Sequence, residues 1–108
     1  MKDADVLSQV PVKSGRASWG EINDGLVLLD IRNRVMTGIN TTGGLIWGLV
    51  DGQRSIYAIG ERVAEHFGQP LDAVIDDTAA FLETLGDSNL LAFARAAETE
   101  PQASAEKD

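Results

Sequence analysis

The spacing of apolar residues changes once along this chain, near Asn40, and that change constrains the fold more than any other feature. Before it, short apolar runs at residues 26–29 and 35–39 are separated by polar breaks. After it, apolar residues recur every three or four positions as far as Leu85. The first spacing is typical of strands and the second of amphipathic helices. The sequence therefore predicts an α+β domain with its strands first.

Three short antiparallel strands are predicted between Ser18 and Asn40. Residues 23–25 are Asn-Asp-Gly and residues 32–34 are Arg-Asn-Arg, and each triplet stands between two apolar runs. Asn and Gly accept a positive φ at little cost, so such breaks are typical of turns. The three strands then follow one another as a meander.

Three helices are predicted after the strands, which makes the order winged-helix-like. Thr41 or Thr42 can cap the first helix, Ser55 can cap the second, and Pro70 marks the start of the third. Apolar residues spaced three or four apart predict a core-facing stripe on each helix. In the second helix this stripe consists of Ile56, Ile59, Val63 and Phe67.

The two ends of the chain differ in composition from its middle. The 108 residues suit one domain, which we expect over residues 15–93 with a short apolar closing segment at 90–93. Residues 1–14 show no sustained period and are predicted to be a flexible arm with an extended piece at 10–13. Residues 94–108 contain no large apolar side chain and are predicted to be a disordered tail.

The composition excludes several classes of function. The chain has a net charge of −8, which opposes binding to nucleic acid or to anionic lipid. It contains no cysteine, so disulfides, thiolate metal sites and a cysteine nucleophile are excluded. No stretch reaches the roughly 20 apolar residues of a membrane span, and residues 1–20 contain no apolar run like that of a signal peptide. We expect a cytoplasmic protein.

Catalysis is not predicted. His66 is the only histidine, and a metal site needs several convergent ligands. Asp76 and Asp77 are neighbours on a helix, so their side chains diverge by about 100° and do not form a facing pair. The glycines after Thr42 match no phosphate-binding motif. We expect neither a cofactor nor a metal, and Trp47 is predicted to be a core residue.

A winged-helix DNA-binding regulator is the alternative that the order of elements raises. A recognition helix needs basic or amide side chains that reach phosphates and base edges. The third predicted helix instead carries Asp72, Asp76, Asp77 and Glu83, and it has no Lys or Arg. Its negative charge disfavours binding to a duplex.

Four segments of the chain carry a recognisable pattern: Gly-Leu-Val-Leu-Leu-Asp at 25–30, Ile-Asn at 39–40, Gly-Leu-Ile-Trp-Gly-Leu-Val-Asp-Gly at 44–52 and Phe-Leu-Glu-Thr-Leu at 81–85. Together these segments resemble the PqqD family. The resemblance covers roughly residues 17–93. It implies three strands packed on three helices, in a domain that recognises ribosomally made, post-translationally modified peptides. Such a domain holds a precursor's leader peptide as an added strand. Members serve quinone-cofactor, lasso-peptide and other pathways, and a separate radical SAM enzyme, leader peptidase or cyclase then acts on the precursor.

On this resemblance, the third strand is predicted to be the docking edge and the third helix to flank it. Alternation along the strand sets the side chains of residues 34, 36 and 38 on one face and those of 35, 37 and 39 on the other. Met36 is predicted to form the floor of the groove, and Asp76 and Asp77 to favour a basic leader. We expect a monomer. The predicted peptide-binding residues are Arg34, Val35, Met36, Thr37, Gly38, Ile39, Val74, Asp77, Thr78 and Phe81.

Overall fold

The computed structural model describes residues 4–23 and 25–95, and these form the predicted α+β architecture. The predicted tail begins inside the last strand, and its residues 96–108 lie outside the described part of the chain, as do residues 1–3 and Asp24. The elements in chain order are α1 (Ala4–Leu7), β1 (Gln9–Lys13), β2 (Ala17–Ile22), β3 (Gly25–Asp30), β4 (Val35–Asn40), α2 (Thr41–Leu49), α3 (Ile56–Phe67), α4 (Leu71–Asp87) and β5 (Leu91–Arg95).

The predicted meander is a three-stranded antiparallel sheet in the order β2-β3-β4. Its register pairs Trp19 with Leu28 and Leu28 with Thr37. Alternate residues of β3 are buried, among them Leu26 and Leu28, because one face of the sheet packs on the helices. The other face is not covered by any helix among the described residues. The two outer strands, β2 and β4, are the edges of the sheet.

The helices supply most of the core. Trp47 on α2 is only 1% exposed, which confirms its predicted place. Ile59 on α3 and Ile75 on α4 are fully buried where these two helices pack together. Burying each such side chain contributes about 1.5–3 kcal/mol. No helix in the described ranges has the length and apolar character that a bilayer crossing requires.

The helix starts follow the predicted chemistry with one correction. The Ser55 side chain accepts a hydrogen bond from the Ala58 N–H at 3.1 Å, as expected of a cap. The α2 cap is Asn40 rather than Thr41 or Thr42. Asn40 ends β4 with extended backbone, and its Oδ1 accepts a hydrogen bond from the Gly43 N–H at 2.9 Å. The last residue of β4 therefore also fixes where α2 begins.

The prediction of a loose arm is wrong for residues 4–13. Residues 9–13 form β1, which pairs antiparallel with β5 and so matches the expected extended piece. Leu7 and Val10 are buried, and Pro11 is among the most buried residues of the chain. These apolar residues are too few to give a readable period, yet they pack on the core. The predicted closing segment at 90–93 contains the start of β5, the strand that pairs with β1.

Candidate functional site

The outer edge of β4 has no strand beside it among the described residues. The Ile31 N–H donates to the Arg16 carbonyl at 3.0 Å, which shows that odd-numbered residues of β3 bond toward β2. Even-numbered residues of β3 therefore bond toward β4, where their partners are Val35, Thr37 and Ile39. It follows that Met36 and Gly38 turn their N–H and C=O groups to the open edge.

The side chains of β4 alternate between the two faces of the sheet. Ile39 is buried on the helix side, so Val35 and Thr37 point to that side as well. Met36 pairs with Leu29, points to the uncovered face and is 69% exposed. The prediction that Met36 forms the groove floor is therefore corrected. The main chain of Met36, rather than its side chain, is available at the edge.

A pocket of about 300 Å³ opens where β4 ends, and we call it the apolar pocket. The four predicted residues of α4 all line it, and they come together because they lie three or four positions apart on one helix face. Its complete lining is Asn40, Thr42, Gly43, Ile46, Val63, Phe67, Gln69, Val74, Asp77, Thr78 and Phe81.

A second pocket of about 250 Å³ lies at the opposite end of β4, and we call it the turn-end pocket. Val35 and Thr37 line it from the strand, and residues 87–90 line it from the end of α4 and the segment that follows. The remaining lining residues are Asp30 and Asn33. The β4 edge thus has a pocket at each end, and each pocket is lined partly by β4 and partly by α4. We call the surface along β4 between these two pockets the groove.

Asp30 organises the turn that leads into β4. Its Oδ1 accepts hydrogen bonds from the N–H groups of Arg32 and Asn33 at 3.1 and 3.2 Å, and its Oδ2 accepts one from Asn33 Nδ2 at 2.8 Å. Arg16 Nε lies 3.8 Å from the carboxylate. Arg34 closes the turn with φ 58°, a left-handed conformation uncommon for a residue other than glycine. The predicted site residue Arg34 therefore shapes the entry to β4.

These contacts determine the ionisation of Asp30. Burial alone would raise the pKa of its carboxyl, but the hydrogen bonds from Asn33 and Arg32 and the charge of Arg16 together lower the pKa below its ordinary value. The folded chain therefore holds the ionised form more strongly than the unfolded chain does. This contribution to stability is present above the ordinary pKa and is lost as the pH falls through the lowered one.

We expect Asp30→Asn to destabilise the chain near neutral pH, and the difference from wild type to shrink as the pH falls below about 4. Urea unfolding at several pH values measures this. Asp87→Asn, which removes an exposed carboxylate at the same end of the groove, is the control. An Asp30→Asn penalty that stays constant over the whole pH range would contradict this role of Asp30.

Sequence reasoning missed part of the groove. Phe67 was expected in the core, but it is 42% exposed and lines the apolar pocket. It is the last residue of α3 before the left-handed Gly68, and its helical spacing from Val63 does not show that its side chain stays partly exposed. His66 is exposed beside Phe67, as expected. Within the described ranges, no group of three or more His, Cys, Asp or Glu could hold a metal ion.

Comparisons with known proteins bear on this geometry. A family model described as "Coenzyme PQQ synthesis protein D (PqqD)" matches residues 25–91, from β3 to the start of β5. A search of curated proteins found no match. A solved structure titled "TbiB1 in Complex with the TbiA(beta) Leader Peptide" superposes with a TM-score of 0.68 at 24% identity, covering 74% of this chain and 93% of that one. At this identity the likeness shows a shared fold.

Proposed function

Since the chain belongs to the PqqD family, we propose that it binds the leader peptide of a ribosomally synthesised, post-translationally modified peptide precursor as a strand added to β4. The observation that carries this proposal is the open β4 edge with a pocket at each end. The structurally similar TbiB1 was solved with a leader peptide, which supports the same class of ligand.

The main chain of β4 would supply part of the affinity. A peptide beside β4 would exchange hydrogen bonds with Met36 and Gly38, each contributing about 0.5–1.5 kcal/mol. Ordering a flexible peptide costs about 1–2 kcal/mol per residue, so these bonds alone do not hold it. Peptide side chains facing the same way as Val35 and Thr37 would enter the groove. They would supply the remaining affinity and the selectivity.

The apolar pocket suits one branched or aromatic side chain of the leader. Phe67, Val74 and Phe81 offer partly exposed apolar surface there, and burying one large side chain against them contributes about 1.5–3 kcal/mol. Asp77, whose side chain is exposed, lies at the rim. It favours a leader with Lys or Arg next to the apolar residue, an attraction that salt screens.

The proposed role is that of an adaptor without catalysis. The groove presents main-chain groups and apolar side chains, which hold a peptide and leave the chemistry to a second protein. That protein would be a separate maturation enzyme, such as a radical SAM enzyme, a leader peptidase or a cyclase. Peptide binding by one protein and chemistry by another fits both lasso-peptide and quinone-cofactor pathways. The site lies within one chain, so leader binding needs no second copy.

Calorimetric titration of the full chain with the precursor peptide encoded beside it tests the proposal. We expect saturable one-to-one binding in the nanomolar to micromolar range that weakens as salt is added. The matched control is the same precursor without its leader, which we expect not to bind. Equal affinity for the leaderless peptide would contradict the proposal.

A further inference from the structure

The sheet has a second open edge, formed by β2 on the side away from β4. Residues 18–22 are all exposed. On β4, alternation turns the main-chain N–H and C=O groups of Met36 and Gly38 to the open edge. On β2, the same alternation turns outward the main-chain groups of Ala17, Trp19 and Glu21. The Ala17 N–H is already used, because it donates to the Ser14 carbonyl at 3.1 Å. Trp19 and Glu21 are therefore the two residues with outward main-chain donors and acceptors to offer.

This edge lacks the usual protection against strand pairing. Edges in natural proteins are blunted by charged residues, prolines, bulges or a covering element. β2 contains no proline and one charged residue, Glu21. None of the other described strands pairs with its outer side. A six-residue strand of this kind is a template for another strand.

Lys13 and Glu21 bring two charges of opposite sign to this edge. The Lys13 Nζ lies 4.6 Å from the centroid of the Trp19 ring and 5.1 Å from that of Trp47. Burial lowers the pKa of Lys13, while the Asp51 carboxylate opposes that shift without forming an ion pair. Glu21 lies two residues from Trp19 and so points to the same face of the strand. Within the described ranges, neither Lys13 nor Glu21 has an ion-pair partner.

We propose that two copies of this chain pair antiparallel through β2, about a two-fold axis at Gly20. Trp19 of each copy then lies opposite Glu21 of the other, and the free main-chain groups of these residues form four hydrogen bonds. Opposed side chains in such a pair are about 4.5–5.5 Å apart at Cβ. The Glu21 carboxylate of one copy therefore reaches the Lys13 ammonium above Trp19 of the other, and symmetry makes this ion pair twice.

The structure favours this register over its neighbour. An axis at Trp19 would require a hydrogen bond from the Ala17 N–H, which already donates to the Ser14 carbonyl. It would also bring the two Lys13 side chains together. With the axis at Gly20, the two glycines face each other at a Cα separation of about 4.5 Å, and no side chain obstructs the contact. Main-chain pairing and charge thus indicate the same axis.

The pairing leaves both leader-binding edges free. Joining two β2 edges makes a continuous six-stranded sheet with a β4 strand at each margin, so the proposal stands independently of leader binding. One strand pair buries less than the roughly 1,000 Å² of a stable interface, and each copy carries a charge of −8. We therefore expect a weak dimer that forms as concentration rises, in place of the monomer that the sequence predicts.

Sedimentation of the full chain over the micromolar to millimolar range tests the proposal with two variants, Gly20→Lys and Gly20→Glu. A Cβ added at Gly20 meets no other atom within 4 Å in a single copy, so we expect both variants to fold, and circular dichroism checks this. In the dimer each variant opposes like charges at the axis. We expect the wild type to dimerise, each variant alone to associate at least tenfold more weakly, and an equimolar mixture to recover the dimer because Lys then faces Glu.

Gly38→Lys is the matched control, since Gly38 has equally open surroundings on β4, and it should leave dimerisation unchanged. A wild type that stays monomeric throughout the range would overturn the proposal. So would variants that associate as the wild type does, or a mixture that stays monomeric. Loss of the dimer in Gly38→Lys but not in Gly20→Lys would show that the copies pair through β4 instead.

Discussion

Gly38→Pro lowers the affinity for the leader peptide by at least about tenfold while the chain stays folded. Proline has no N–H to donate, and its ring lies where the added strand must approach. The fold tolerates the change because the Gly38 N–H points to the open edge and not to β3, and proline is accepted on edge strands. Calorimetric titration measures the loss, and circular dichroism checks the fold.

Glu21→Pro is the control for Gly38→Pro. It removes an outward N–H from the other edge of the same sheet, and Glu21 is exposed. Leader affinity should be unchanged in this variant. If Glu21→Pro weakened binding and Gly38→Pro did not, the leader would be pairing with β2.

Phe81→Asp is expected to reduce leader affinity by about tenfold or more through the apolar pocket. The Phe81 ring reaches toward Gly43, where a Cβ would lie 3.1 Å from the ring. Aspartate removes this apolar wall and adds a second carboxylate beside Asp77. A leader side chain would then lose its apolar contact and face a hydrated pocket.

Phe81→Leu keeps the pocket apolar and should retain most of the affinity. Because Phe81 is half-buried, both variants need a measured unfolding free energy before their binding is compared. A Phe81→Asp chain that remains folded and binds the leader as tightly as the wild type would remove the apolar pocket from the site.

The sequence predicts the larger features of the fold because the change of apolar period near Asn40 is unambiguous. The choice of helix positions 74, 77, 78 and 81 follows from the family resemblance, and the structure brings all four to one pocket. Reasoning from the period fails for Phe67. The helical spacing typical of a core residue is the same whether or not a neighbouring element covers the side chain.

The sequence does not determine which face of β4 points to the helices. Alternation separates residues 35, 37 and 39 from 36 and 38, but only the burial of Ile39 shows which set faces the helices. The adaptable side chain of Met36 favours a place on the groove floor, whereas in the structure it lies on the uncovered face. Met36→Asp is therefore a weaker test of the groove than Phe81→Asp.

The pairing of β1 with β5 is also beyond the sequence. The two strands are separated by the whole remaining domain, and each is too short to show a period. The turn-end pocket has the same origin, because residues 87–90 come to line the same pocket as Val35 only after α4 has crossed the domain. Such contacts depend on the three-dimensional path of the chain rather than on a local pattern.

Amide hydrogen exchange, followed residue by residue with and without the leader peptide, is the most direct test of strand addition to β4. We expect the amides of Met36 and Gly38 to become protected when the leader binds, while those of Trp19 and Glu21 keep their exchange rates. Protection of Trp19 and Glu21 with no change at Met36 and Gly38 would contradict strand addition to β4.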